Sequence, residues 1–410
     1  MSNSNSVQTG NHLSIVEVVK DYILRVRGGE TGSLPALLGL FILSLIFALA
    51  NPIFLKPINF ANLLTQAGTV MTLAMGITFV LLLGEIDLSA GVTAGLSAAF
   101  LAISMANYGV QWPVAILISL LLGVLIGFTI GILVAKVGIP SFVVTLAAFL
   151  AFQGLQIVVV GKGGLIGIKA EPILAIMNKP MPTSFGWILL FFILISYIIS
   201  SLLSRRQRIK SLQENKPIGV VVLKSLMILL VGGFVTFFLN LERGANPSIT
   251  SLKGVPYVVP LVLVLLTAGT FILNRTKFGR HVYAVGGSAE TARRSGIRVS
   301  QIRITVFMIS STFAAIAGIL MASRAGSVDP ASGRSIVLSA IAAAVVGGVS
   351  LFGGRGKLTD AIIGGFVIAV IDNGLGLIGL ASGLNLAITG GVLLLAAGAD
   401  AITSRKSRSS

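Results

Sequence analysis

The chain has 410 residues, 55% of them hydrophobic and 10% charged, and its 30 Lys and Arg against 13 Asp and Glu give a formal charge of +17. An ordinary soluble domain carries about 25% charged residues, so a large soluble enzyme is excluded, as is a disordered chain, which needs low hydrophobicity and high charge. There is no cysteine, which excludes disulfides, thiolate metal sites and cysteine nucleophiles. Nucleic acid is not an expected partner, because the apolar runs leave no basic, aromatic-bearing soluble face for it.

About 20 apolar residues are needed for a helix to cross a bilayer. In chain order, such runs predict spans at 34–50, 60–83, 88–106, 112–134, 139–160, 185–203, 218–239, 256–273, 302–322, 337–352, 361–379 and 384–400. The stretch from Phe60 to Ala106 is broken only by Gly84-Glu85-Ile86-Asp87. The expected fold is an all-α polytopic membrane protein of about twelve transmembrane helices. It comprises an N-terminal tail 1–33, a single transmembrane domain 34–400 and a basic tail 401–410. The run before Ala48-Leu49-Ala50 starts only at Leu34, too late for a signal peptide, so the first span is expected to remain as an anchor.

The distribution of charge sets the expected orientation. With the N-terminus inside and the spans alternating, 21 of the 30 basic residues fall on the cytoplasmic side and 8 outside, with Lys224 inside a span. That asymmetry is the positive-inside pattern and predicts both termini in the cytoplasm. The longest segments between spans are the external 161–184 and the cytoplasmic 274–301, each too short for a core of its own.

Catalytic and metal-binding constellations are missing from the sequence. Gly353-Gly354-Arg355-Gly356-Lys357-Leu358 is the nearest approach to a phosphate-binding loop, and it lacks both the upstream Gly spacing and the Ser or Thr after Lys. The two histidines, His12 and His281, have no metal-ligand neighbours at helical spacing. No bound cofactor, no metal and no enzymatic activity are therefore expected of this chain. Among the acids, Asp360 and Asp400 fall at span ends, where water solvates them. Glu85, Asp87 and Asp372 lie deeper and are the candidate functional acids. None has a basic partner at helical spacing, which favours a transporter driven by an outside energy source over an ion-coupled one.

The sharpest local pattern is cytoplasmic, over residues 278–299. Gly286-Gly287 permits a sharp turn, Ser288 can cap a helix, Glu290 suits its first turn, Arg293 and Arg294 suit its last turn, and Gly296 ends it. This predicts a two-turn helix over Ala289 to Ser295. So short a helix is marginal in water and needs a docking surface.

With these residues in view, the chain resembles the permease subunits of bacterial ABC importers for monosaccharides, and their xylose-transporting branch in particular. Tyr283-Ala284-Val285-Gly286-Gly287 followed by Ala289 to Ile297 is similar to that family's coupling segment. Three further segments are similar to family signatures: Gly84-Glu85-Ile86-Asp87-Leu88-Ser89-Ala90-Gly91, Ile139-Pro140-Ser141-Phe142-Val143-Val144-Thr145-Leu146, and Val346-Gly347-Gly348-Val349-Ser350-Leu351-Phe352-Gly353-Gly354. The resemblance implies a ten-helix core, to which residues 204–240 add an insertion of two helices. It also implies a homodimer in the bacterial inner membrane and an ATP-binding subunit that uses ATP and Mg²⁺ at the cytoplasmic face. A periplasmic sugar-binding protein would meet the external segments 161–184 and 323–336, with Lys162, Lys169 and Lys179 facing its acids. The coupling residues would be Gly286, Gly287, Ser288, Ala289, Glu290, Arg293, Arg294, Ser295 and Gly296.

Aligned without gaps, Gly84 to Gly91 and Gly347 to Gly354 share their end glycines and an identical Leu at 88 and 351, a possible internal repeat. Both segments are expected to flank a cytoplasmic gate, so that leucine at Gly347 and Gly348 should block transport. Glu85, Asp87, Gln153, Gly347, Gly348, Asp372 and Asn373 are the candidate residues of the path or gate; Gln66, Gln156 and Asn385 are further candidate lining groups. A self-contained secondary sugar transporter is the alternative that the sequence leaves open.

Overall fold

The structure is a computed structural model that describes residues 33–161, 164–210, 218–244, 246–248, 251–380 and 382–409. All of the N-terminal tail but Ser33, together with Lys162, lies outside the described residues, and so do the side chains of Asn385 and Asp400. The helices in chain order are α1 Leu34–Ala50, α2 Pro57–Leu82, α3 Ala90–Ala106, α4 Trp112–Ile132, α5 Ser141–Val160, α6 Glu171–Asn178, α7 Thr183–Lys210 and α8 Ile218–Leu239. They continue as α9 Val258–Arg275, α10 Lys277–Gly287, α11 Ala289–Arg294, α12 Val299–Ala325, α13 Ile336–Gly347, α14 Leu358–Leu377 and α15 Ser382–Ser409. Each of the twelve expected spans falls on a helix. By length and composition eight of these helices can cross a membrane, while α1, α3, α13 and the Leu386–Leu395 part of α15 are shorter apolar stretches.

Two compact units are present. The larger holds Gly32–Lys179 and Pro256–Ser410, and the described part of the smaller is Pro180–Val255. In the smaller unit, α7 and α8 form a hairpin in which Leu190 packs at Gly232. Its ends are tied together where Met181 N–H donates to the Val255 carbonyl at 2.8 Å. Residues 204–240, expected to be an insertion of two helices, lie within this smaller unit, which also includes the first part of α7.

In the larger unit, α2 and α12 form the centre. From Ala67 to Leu82 every residue of α2 is buried, and its hydroxyls are satisfied locally: Thr72 donates to the Gly68 carbonyl and Thr78 to that of Ala74, both at 2.8 Å. Along α4, Gly123, Gly127 and Gly131 recur every fourth residue, and a Cβ at each would press on the α12 backbone at Ser311, Phe307 and Ile304. Small residues at this spacing let two helices approach closely in a membrane. The glycine positions ascend in α4 as the α12 contacts descend, so the pair is antiparallel. After Ile132, α4 ends in one π turn, Leu133–Val137.

Two breaks interrupt the long helices. After Leu82 the chain leaves α2, turns at Gly84 (φ 74°) and does not become helical again until Ala90, so the break is wider than Gly84 to Asp87. It climbs alongside α12: Glu85 lies against Arg303, Asp87 against Ser310 and the Ala94 backbone against Gly318. The second break follows α12, where Ser327–Val328 pairs with Ile166–Gly167 as two short antiparallel strands, β2 and β1, before α13 begins. The span expected at 337–352 ends at Gly347, because Gly348 adopts φ 117°. At about 18 Å this helix covers little more than half a bilayer core. The starts of α3 and α13 meet, with Gly91 and Gly95 packed against Gly333 and Ser332. The structural likeness in the chain is therefore long helix, break and short helix at α2–α3 and again at α12–α13. The aligned glycines of 84–91 and 347–354 differ in conformation: Gly84 and Gly354 are left-handed, whereas Gly347 and Gly91 are helical.

Candidate coupling site where four sequence signatures meet

The short helix α11 forms as its capping residues dictate. Ser288 is extended (φ −163°), and its Oγ accepts from the Thr291 N–H at 3.2 Å, which satisfies one of the orphan donors of a helix start. Glu290 pairs with Arg293 at 3.4 Å and with Arg294 at 3.0 Å; these exposed pairs add little. The helix ends at Arg294, one residue short of the expected Ser295, and Gly296 is left-handed. Of α11 only Ala292 is buried, so most of its surface is left for a partner.

Gly286 and Gly287 do not form the turn expected of them. Both are helical, in the last turn of α10, whose start is capped by the Thr276 hydroxyl accepting from Gly279 N–H at 3.1 Å. The reason for Gly286 is close approach. A Cβ there would collide with the Leu82 carbonyl oxygen and lie 2.7 Å from the Gly354 nitrogen, while one on Gly287 would meet nothing within 4 Å. The Gly354 N–H in turn donates to the same Leu82 carbonyl at 2.9 Å. Tyr283, one turn back along α10, donates from its hydroxyl to the Gly356 carbonyl at 2.8 Å. Burial, and then the Asp360 carboxylate, hold its pKa above the usual phenol value, so it stays a donor. Backbone of the three signatures at 84–91, 283–287 and 347–354 is thus in mutual contact.

The fourth signature clamps the first. At the start of α5, the Ser141 Oγ accepts from Ile86 N–H at 3.3 Å, and the Thr145 hydroxyl donates to the Ile86 carbonyl at 3.2 Å. Glu85 does have a basic partner: Arg303, on the first turns of α12, lies 3.1 Å away, with both side chains largely buried. The sequence hid this pair because the two residues are far apart in the chain and Arg303 counted merely as one more cytoplasmic charge. Asp87 is buried; its Oδ1 accepts from the Ser89 N–H at 3.0 Å and hydroxyl at 2.6 Å, and its Oδ2 from the Ser310 hydroxyl at 3.2 Å. It therefore fastens the start of α3 to the middle of α12.

The remaining candidates spread through the larger unit. A Cβ on Gly347 would collide with the Asp360 carbonyl, and one on Gly364 with that of Ala343, so α13 and α14 touch backbone to backbone. Asp360 opens α14 by accepting from Lys357 N–H at 2.8 Å. Asn373 exchanges side-chain hydrogen bonds of 2.9 Å with Asn59, and half-buried Asp372 is its neighbour on α14. Gln156 donates to the Asp329 and Ser332 carbonyls at 3.0 and 3.1 Å. The Gln153 amide lies against the Arg334 guanidinium, and its oxygen would accept from it when turned that way. Gln66 is half-buried on α2. In the external segment, Lys169 is exposed, while Lys179 is ion-paired with Glu171.

Apolar helices, two broken ones among them, closed at one end by glycine-backed loops and an exposed capped helix, define a multi-pass membrane permease. The family described as the permease component of a branched-chain amino acid transport system matches residues 59–397, and the chain belongs to it. It is 36% identical over 359 residues to the xylose transport system permease protein XylH of Escherichia coli (strain K12), which covers 86% of this chain and 87% of that protein. The Haemophilus influenzae protein of the same name is 32% identical, covering 86% of this chain and 91% of its own. The ribose import permease protein RbsC of Bacillus subtilis (strain 168) is 32% identical over 368 residues, 90% of this chain and 92% of that one. No solved structure matches the chain.

Proposed function

We propose that the chain is the membrane subunit of an ATP-driven importer in the bacterial inner membrane, and that it carries a monosaccharide, D-xylose. The observation that carries the reading is the backbone contact between the capped cytoplasmic segment and both glycine-rich loops. Displacement of α11 by a docked partner presses, through Gly286, on Leu82 at the foot of α2 and on the 347–354 loop. The similarity to permeases named for xylose and ribose supports the sugar.

The energy source is a separate ATP-binding subunit that uses ATP and Mg²⁺. In this chain the Gly354 N–H, which a phosphate cradle would need, is engaged by Leu82. Two copies of the chain form the membrane part, and a periplasmic sugar-binding protein delivers to the opposite face. Ala289 to Arg294 supplies exposed polar surface around buried Ala292, a helix that the ATPase stabilises by covering it.

The test is reconstitution in liposomes. The purified chain alone should take up no xylose; with a cognate ATPase it should support ATP hydrolysis that rises when sugar-loaded binding protein is added. Uptake by the chain alone, following only a gradient, overturns the reading in favour of a secondary transporter.

A further inference from the structure

Arg334 was expected in an external loop, yet it stands immediately before α13, where the start of that helix meets the start of α3. Gly333 packs on Gly91 and Gly95, and Ala94 in the same turn of α3 packs on Gly318, about 28 Å along the roughly 40 Å of α12. Arg334 is therefore level with a point about two thirds of the way along α12, within its length rather than beyond its end, and it is exposed, as are Ser335 and Leu338 on the following turn. A guanidinium at this depth does not face hydrocarbon; such charges face the bundle interior or water. Non-helical backbone at this depth, here 329–335, is tolerated where it is covered by protein or lines a water-filled cavity.

The local chemistry favours water. The Gln153 amide on α5 lies against Nε and one Nη of Arg334; with its oxygen turned toward them it would accept from both, leaving three of the five N–H groups for other acceptors. A dry contact would strand them. Asp329 in the same loop carries the compensating negative charge, tied by Ala331 N–H at 2.7 Å and the Ser332 hydroxyl at 2.9 Å. Gln156 fixes that loop from α5 through two carbonyls. The result is a positioned fork of donors without a net positive field, suited to a neutral polyhydroxyl ligand rather than to an anion.

We propose that the face carrying Arg334 and Gln153 lines the aqueous passage, and that the Arg334 guanidinium donates to adjacent hydroxyls of the sugar as it passes. The proposal rests on the sugar-permease reading, and its test separates the two. Because the chain contains no cysteine, Ser335→Cys and Leu338→Cys each place a single thiol on this face, and Phe192→Cys places one on exposed α7 as a lipid-facing control. In the reconstituted complex with its ATPase and binding protein, a water-soluble thiol reagent should modify the first two and spare the third. Failure to label positions 335 and 338, the result for a dry contact between copies or a lipid-facing surface, overturns the proposal.

Arg334→Gln should lower the sugar imported per ATP hydrolysed by about tenfold or more, the loss expected for charge-assisted hydrogen bonds, and Arg334→Lys should recover part of it. An unchanged ratio, with import and hydrolysis falling together, assigns Arg334 a structural role and also overturns the proposal. A Ser335→Cys complex that labels, in a system whose cysteine-free wild type imports no sugar, overturns the sugar-permease reading instead.

Discussion

Gly286 and Gly287 are chemically identical neighbours in opposite situations. Gly286 has the Leu82 carbonyl and the Gly354 nitrogen where its side chain would be, and Gly287 has open space. Gly286→Ala must displace backbone at the foot of α2 or tilt α10, a strain of about 1–3 kcal/mol. It should cut binding-protein-stimulated ATP hydrolysis severalfold, while Gly287→Ala leaves it within about twofold; equal effects would show that the contact transmits nothing. The two glycines read alike in the sequence and suggest a turn. What distinguishes them is a carbonyl some two hundred residues away, which no local pattern encodes. The Ser288 cap, by contrast, was legible, because donor and acceptor are three residues apart and the chemistry is complete within one turn. Gly347 shows the same limit: it reads as a gate residue, yet it lies against the Asp360 backbone, so a bulky residue there tests helix packing as much as gating.

At the scale of elements, the first break is held in place by side chains from two helices: Ser141 and Thr145 of α5, and Arg303 and Ser310 of α12. Arg303 follows the coupling helix closely in the chain, so its pair with Glu85 ties the start of α12 to the break. Removing one partner leaves the other largely buried and uncompensated, which is costlier than losing both. Arg303→Met should therefore impair stimulated hydrolysis more than the double variant Arg303→Met/Glu85→Gln, and a double variant no better than the single would dissociate the pair from coupling.

A second element is stitched in the same manner in the smaller unit. The Glu242 carboxylate accepts from the backbone N–H groups of Leu252, Gly244 and Arg243 and from the Ser251 hydroxyl. These bonds lower its pKa from an ordinary 4.5 to about 2. A depressed carboxylate contributes its full stabilisation above its open-loop pKa, where it is ionised in both states, and loses it as pH falls toward its folded pKa. The loop around Leu252 should thus be equally protected from amide exchange at all pH values above 4.5 and lose protection as pH falls from there toward about 2. Glu242→Gln should remove that pH dependence; a loop with flat protection through the acid range would contradict the assignment.

At the scale of the whole molecule, the broad architecture was readable because hydropathy is summed over many residues: every expected span falls on a helix. The ends of the breaks were less legible: Gly84 to Asp87 and the polar 329–335 mark them in the sequence, but Leu88 and Ser89 before α3 and Gly348 to Phe352 after α13 read as continuing helix until the structure shows otherwise. The larger unit is already closed at the point where the smaller one leaves it, for Tyr257 N–H reaches the Lys179 carbonyl at 3.4 Å across the gap left by Pro180–Val255. A chain in which a short Gly-Ser linker replaces 180–255 therefore needs no rearrangement of its larger unit, because loop closure over so small a gap costs little. It retains six of the membrane helices before α11 and four after it, the ten-helix arrangement implied by the resemblance. This shortened chain should still assemble with the ATPase and support sugar-stimulated hydrolysis. If it folds by circular dichroism yet fails to couple, α7 and α8 belong to the machinery rather than to its periphery.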